Sequence, residues 1–86
     1  MTDPLLSPVA VRLRKMERLI RRGGATAEQM MAATGVSIAT LKRDLDLLRW
    51  DLGAQIVYCP LTHNYELRNT DWPGVVPRVH AMLMAV

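Results

Sequence analysis

The run from Ala25 to Leu45 constrains this chain more than any other stretch, because it writes two capped helices with almost nothing between them. Thr26 stands three residues before Gln29, the spacing of a capping box in which each side chain accepts from the other residue's backbone amide. Gly35 supplies the positive φ that ends the first helix of the pair, and Ser37 caps the next only two residues later. A linker that short makes the helices cross steeply, which is the grammar of a helix-turn-helix.

The later helix of the pair shows which way it faces. Leu41, Leu45, Leu48 and Leu52 recur at i, i+4, i+7 and i+11, between the Ser37 cap and a stop at Gly53. The helix is therefore expected over residues 38–52 with one buried leucine row. About half a turn away, Ala39, Thr40 and Arg43 point outward, with Lys42 and Asp46 on the flanks. Short and basic side chains near a helix N-terminus suit base edges in a major groove. Arginine grips guanine through two hydrogen bonds, threonine pairs with several bases or meets a thymine methyl, and alanine permits close approach. The alternative for Arg43 is a surface ion pair with Asp44 or Asp46. Asp44 reads as orienting a basic neighbour, since a carboxylate turned toward phosphates is repelled.

Upstream, Ser7-Pro8 opens a helix that runs to the Gly23-Gly24 stop. Val9, Leu13, Met16 and Ile20, with Leu19 beside them, form its apolar stripe. Arg14, Lys15, Arg18, Arg21 and Arg22 gather on the opposite side, and Arg12 falls near the stripe's edge. Those five cations are candidates for phosphate contact or steering of DNA; the alternative is a solvated face balanced only by Glu17. The short helix between, roughly Ala27 to Thr34, packs through Met30, Met31 and Ala33. Its N-terminal amides near Thr26 form a place for a phosphate, beside the plain capping role of Thr26.

Gly53 is followed by two β-prone runs, Ala54 to Cys59 and Tyr65 to Arg68, around the polar loop Pro60 to Asn64. That is a hairpin, and directly after such a helix it is a wing. Its tip holds His63 and Asn64, candidates for a sugar, phosphate or minor-groove contact; His63 as an ordinary turn residue is the alternative. Leu47 and Trp50 lie outward, farther along the leucine-row helix, and are expected to be covered by the hairpin or by the C-terminal segment. That segment begins as a loop around Trp72-Pro73-Gly74 and becomes helical with Pro77 as first position. Val79, Met82, Leu83 and Val86 then form a stripe that folds back, contacts a second copy, or begins a further domain.

The architecture expected is mainly α with a small β-hairpin: a winged helix-turn-helix of three helices plus wing, with a short C-terminal helix. Residues 1–68 read as the DNA-binding domain and 69–86 as a linker and C-terminal helix. Composition agrees: 86 residues without phenylalanine suit one small domain with a core of Leu, Val, Ile, Met and Ala. The net charge of +3 is uneven, with nine Lys/Arg against five Asp/Glu in residues 1–50 and two against three in residues 51–86. The basic half is the half that holds the helix pair, which implies a polyanionic partner.

Other classes fit poorly. The single cysteine, Cys59, excludes an internal disulfide framework and a multi-thiolate zinc site, and reads as a strand-end residue rather than an activated thiol. Neither His63 nor His80 has metal-ligand spacing, so no metal and no cofactor are expected. There is no paired-carboxylate site, no nucleophile beside a base and no glycine-rich phosphate loop, so an enzyme is not expected. No run approaches the ~20 apolar residues of a membrane span, and Met1 to Pro8 lacks the pattern of a secretory leader. A cytoplasmic protein with no membrane partner is expected.

Taken together, Thr26-Ala27-Glu28-Gln29-Met30, Gly35-Val36-Ser37, Thr40-Leu41-Lys42-Arg43-Asp44-Leu45-Asp46-Leu47-Leu48-Arg49 and Leu52-Gly53-Ala54-Gln55-Ile56 resemble DeoR-type winged helices. More narrowly, the chain from about Leu13 to Leu67 is similar to the N-terminal domain of WYL-domain transcription regulators. The resemblance implies sequence-specific binding of double-stranded DNA by a transcriptional regulator, usually a homodimer, with the third helix in the major groove. It implies DNA contact for Ser37, Thr40, Lys42 and Arg43 and an orienting role for Asp44. Ile38 and Ala39 stand where members of that family commonly carry basic residues. The effector-sensing WYL domain lies outside these residues, which leaves a regulator without it or a small stand-alone repressor, and no small-molecule effector is assigned. The rival is a winged-helix protein-interaction module that works through Leu47, Trp50 and the C-terminal apolar stripe.

Overall fold

Ser7 begins the first helix with its side chain: Oγ accepts from the Ala10 amide at 3.1 Å, and Pro8 comes next, where no backbone N–H is needed. The structure is a computed structural model that describes residues 7–84, with side chains through Ala81. Helix α1 (Pro8–Arg21) buries Ala10, Leu13, Met16 and Ile20, while Val9 projects from the first turn into solvent. Strand β1 (Ala25–Thr26) leads into α2 (Ala27–Thr34). The capping box is fully formed, with Gln29 N–H donating to Thr26 Oγ1 at 3.1 Å and Thr26 N–H to Gln29 Oε1 at 3.0 Å. Gly35, at φ 72°, ends α2, and its amide donates to the Met31 carbonyl at 2.7 Å.

Helix α3 (Ile38–Asp46) begins at the Ser37 cap, whose Oγ accepts from the Thr40 amide at 3.3 Å. It continues as a π-helical turn over Leu47–Asp51, closed by Leu52 N–H to the Leu47 carbonyl at 3.0 Å. The helix expected over 38–52 is thus present in two geometries. Its four row leucines are all buried. The wider turn is held by its contacts with the next segment of chain, since Arg49 Nε donates to the Ile56 carbonyl at 2.9 Å and Ala54 N–H to the Leu48 carbonyl at 2.9 Å.

The hairpin consists of β2 (Ile56–Cys59) and β3 (Asn64–Leu67), antiparallel with Ile56 opposite Leu67 and Cys59 opposite Asn64. It is part of a larger sheet than expected. β1 adds to its other side, Ala25 opposite Tyr65 and Thr26 opposite Asn64, giving the strand order β1-β3-β2. The chain is therefore mainly helical with a small three-stranded antiparallel sheet.

One apolar cluster joins these elements: Leu13, Met16 and Ile20 of α1, Met30 of α2, the leucine row, Ile56, and also Trp72 and Val75. The packing thus runs past residue 68. Helix α4 (Val75–Met84) starts two residues before Pro77, whose missing N–H falls in a first turn that has no use for it. Val79 packs on the cluster; the side chains of Met82, Leu83 and Val86, expected to continue that stripe, lie outside the described residues.

The two tryptophans differ sharply in burial. Trp72 is buried because its Nε1–H reaches the Leu52 carbonyl at 2.6 Å, where the π turn ends. Among the described residues Trp50 finds no such partner and is 80% exposed, covered by neither the hairpin nor the described part of the C-terminal segment. Leu47, expected outward beside it, is half-buried against the core. Hydrogen bonds then tie the Trp72 segment to α1. Glu17 accepts the Val75 amide at 2.9 Å and pairs with Arg21 at 2.7 Å, and Arg21 Nη2 donates to the Trp72 carbonyl at 2.7 Å. Among the described residues no helix is long and apolar enough to cross a membrane.

Candidate nucleic-acid interface

The orientation of α3 is fixed from its inner side. Leu41 and Leu45 are buried, and so is Asp44, at 1% exposure the one buried charged residue among those described. Its carboxylate is held by the fork of Arg12 on α1, Nε to Oδ2 at 2.8 Å and Nη2 to Oδ1 at 3.3 Å. That hydrogen bond, with the attraction behind it, pushes the Arg12 guanidinium pKa up against the opposing effect of burial. Asp44 does orient a basic side chain, as expected. The partner is 32 residues away, on another helix, and only the position of Arg12 at the stripe's edge hinted at it.

With that side locked, the outer side carries the expected group. Ala39, Lys42 and Arg43 are exposed, and Thr40 is half-buried. Ser37 is exposed, and its hydroxyl donates to Thr40 Oγ1 at 3.3 Å as well as capping the helix. The ion pair weighed for Arg43 does not form. Asp44 is taken by Arg12, and Asp46 leans toward Arg49 at 4.0 Å. Among the described residues neither Lys42 nor Arg43 has an acidic partner within ion-pair distance, so two positive charges stand free near the middle of α3.

The wing tip and the start of α2 meet in an open groove of about 450 Å³ lined by Thr26, Ala27, Glu28, Tyr58, Thr62, His63 and Tyr65. His63 turns the hairpin with φ 61°, and its Nδ1 is 2.8 Å from the Tyr58 hydroxyl. Asn64 is half-buried within β3, and the Thr26 hydroxyl is occupied by its cap. His63 is thus the exposed member of the expected tip pair. Its coupling to Tyr58 was not foreseen from the chain, because it depends on how the turn closes. The same turn draws the Cys59 thiol below its usual range, first through the Thr62 hydroxyl, then through the backbone amides of Thr62 and Leu61.

Of the five cations assigned to the outer side of α1, Arg21 is exposed and is also paired with Glu17, bonded to the Trp72 carbonyl and 5.5 Å from the Trp72 ring centre, so it joins α1 to the Trp72 segment. Arg14, Lys15, Arg18 and Arg22 have no acidic partner within ion-pair distance among the described residues. Arg12 marks the side of α1 that meets α3, and at about 100° per residue Lys15 and Arg22 lie roughly 60° and 80° around the helix from it, Arg18 and Arg14 roughly 120° and 160°. Arg14 and Arg18 border a hollow shared with Val76 of α4.

No family model, curated protein or solved structure matches the chain.

Proposed function

We propose that the protein is a transcriptional regulator that binds double-stranded DNA sequence-specifically as a winged helix-turn-helix, with α3 in the major groove. The observation that carries this is the outer face of α3: Arg43 and Lys42 are exposed and, among the described residues, unpaired, while the opposite side is anchored by leucines and by the Arg12–Asp44 pair. Arg43 is the guanine-gripping residue, Thr40 and Ala39 meet neighbouring base edges, and Ser37 and Lys42 hold the flanking phosphates. The amides at the start of α2, beside Thr26, take a further phosphate, and His63 touches the backbone from the wing. The protein acts in the cytoplasm as a repressor by occupying its operator. It reads inverted half-sites as a homodimer.

Selection of bound duplexes from a random pool tests this. A defined site should emerge, and Arg43→Ala should weaken binding to it by about 1–3 kcal/mol, some five- to 150-fold, with the fold intact by circular dichroism. Unchanged affinity would remove α3 as the reader.

One observation favours a second reading, a protein-interaction module. Trp50 is 80% exposed, a large apolar side chain without cover among the described residues. The half-burial of Leu47 leaves Trp50 as its chief anchor. Association with a protein that is indifferent to salt and lost in Trp50→Ala would support that module.

A further inference from the structure

One side chain ties the hairpin to the continuation of α3. Arg49 stands half-buried in the π turn, and among the described residues its bond to the Ile56 carbonyl, at 2.9 Å, is the one side-chain hydrogen bond between residues 38–51 and residues 56–67. The same guanidinium lies 6.0 Å from the centre of the Tyr65 ring. A planar guanidinium can donate a hydrogen bond and stack on an aromatic face at once, which a lysine ammonium does poorly.

From Tyr65 the contacts continue to the wing tip. Tyr65 stands opposite Tyr58 in the strand register, and their rings meet with centres 5.1 Å apart at 57°. The Tyr58 hydroxyl shares a 2.8 Å hydrogen bond with His63 Nδ1, the two rings 6.3 Å apart. Arg49, Tyr65, Tyr58 and His63 thus form one chain of contacts from the π turn to the tip. Its first member is held firmly, because Leu48 and Leu52 of the same turn and its end are buried in the core. The tip has no such anchor, since residues 60–63 are all exposed.

We infer that Arg49 is a positioning residue: through Tyr65 and Tyr58 it sets where His63 stands relative to the outer face of α3, so that wing and helix meet one duplex together. The inference rests on the reading of α3 and His63 as DNA contacts. Strand β1 steadies β3 through the backbone, at Ala25 and Thr26, whereas Arg49 links the hairpin to the helix that enters the groove. Positioning differs from phosphate contact in what it asks of the side chain. A phosphate contact needs a charge, which lysine also carries, but the chain needs the hydrogen bond and the ring contact made by one planar group. The hairpin has no lysine or arginine between Ala54 and Leu67, so what the wing gives to DNA depends on where His63 is held.

The test measures affinity for the selected duplex in native protein, Arg49→Lys, His63→Ala and the double variant, with each fold checked by circular dichroism. His63→Ala should weaken binding roughly two- to twelvefold, the loss of one hydrogen bond, and Arg49→Lys by a similar factor although the net charge is unchanged. The double variant should bind as Arg49→Lys alone does, because residues that act through one another do not add. Tyr58→Phe, at an exposed position, breaks the last link without touching the core and should behave as Arg49→Lys does. In the free protein, Arg49→Lys should move the His63 and Tyr58 side-chain resonances and leave the amides of residues 37–43 in place. Native affinity in Arg49→Lys or in His63→Ala, losses that multiply in the double variant, or His63 resonances that stay still would each overturn the proposal. Arg43→Ala, run in parallel, tests α3 by itself. Unchanged affinity there removes the reading beneath the proposal, whereas lost affinity there with multiplying losses in the cycle overturns the positioning role alone.

Discussion

Replacing Arg12 by methionine should unfold this protein far more readily than a change at a helix edge ordinarily does. The side chain of Asp44 is 2% exposed and that of Arg12 is 22% exposed, so the pair is buried at one end and wetted at the other. Removing one partner of a buried pair costs about 3–5 kcal/mol, because the remaining charge has neither water nor a counter-charge. Water at the Arg12 end weakens the interaction, which places the expected loss near the lower bound, about 3 kcal/mol. For a domain of 86 residues that is a fall in Tm of roughly 12–24 °C. Adding Asp44→Leu removes the orphaned charge and should recover most of the loss, whereas Arg12→Lys, which keeps the charge and gives up the two-pronged geometry, should cost about 1–2 kcal/mol. Urea unfolding followed by far-ultraviolet circular dichroism reads all three variants. A loss below about 1 kcal/mol for Arg12→Met, or no recovery on adding Asp44→Leu, would show that the pair does not hold α3 to α1.

Trp72→Phe removes the donor to the Leu52 carbonyl, which keeps only Arg78 at 3.2 Å, and should cost about 1–3 kcal/mol in the same assay. The emission that remains in that variant, from Trp50 alone, should be red-shifted and easily quenched by acrylamide; blue-shifted emission would contradict the exposure assigned to Trp50. Gly74→Ala should destabilise by about 1–3 kcal/mol, since φ is +107° and the new Cβ would stand 2.6 Å from Glu17 Oε2; a neutral result would mean that the Glu17–Val75 hydrogen bond is dispensable. Thr62→Val should move the pH profile of Cys59 alkylation upward, because the hydroxyl that favours the thiolate is gone; an unmoved profile would refute that hydrogen bond.

The features that could be read from the chain were those that neighbouring residues decide. The caps at Ser7, Thr26 and Ser37, the stop at Gly35 and the leucine row each depend on groups within a few positions, and all five are present. The hairpin was legible for the same reason. β1 was not, because two residues carry no alternation and their partners, Tyr65 and Asn64, lie about 40 positions on. Arg12 and Asp44 meet across 32 positions, and periodicity alone places Arg12 only at the rim of a stripe. The exposure of Trp50 and the burial of Trp72 have a similar origin: which indole enters the core is decided by the Leu52 carbonyl at the end of a π turn. Arg21 is a surface cation, as its place on the helix suggests, but its bond to the Trp72 carbonyl was not legible because that segment lies 51 positions away. The outward set Ala39, Lys42 and Arg43 was legible because it is the complement of the leucine row, and Thr40 stands half-buried at its edge.

The most direct test of the central proposal is an amide-resolved NMR titration of the protein with a short duplex carrying its selected site. The largest shifts should fall at Ser37, Ala39, Thr40, Lys42 and Arg43, with smaller ones at the start of α2 and at His63, and the Trp50 amide and indole should stay still. Shifts centred on Trp50 and α4, with the α3 N-terminal amides unmoved, would contradict it.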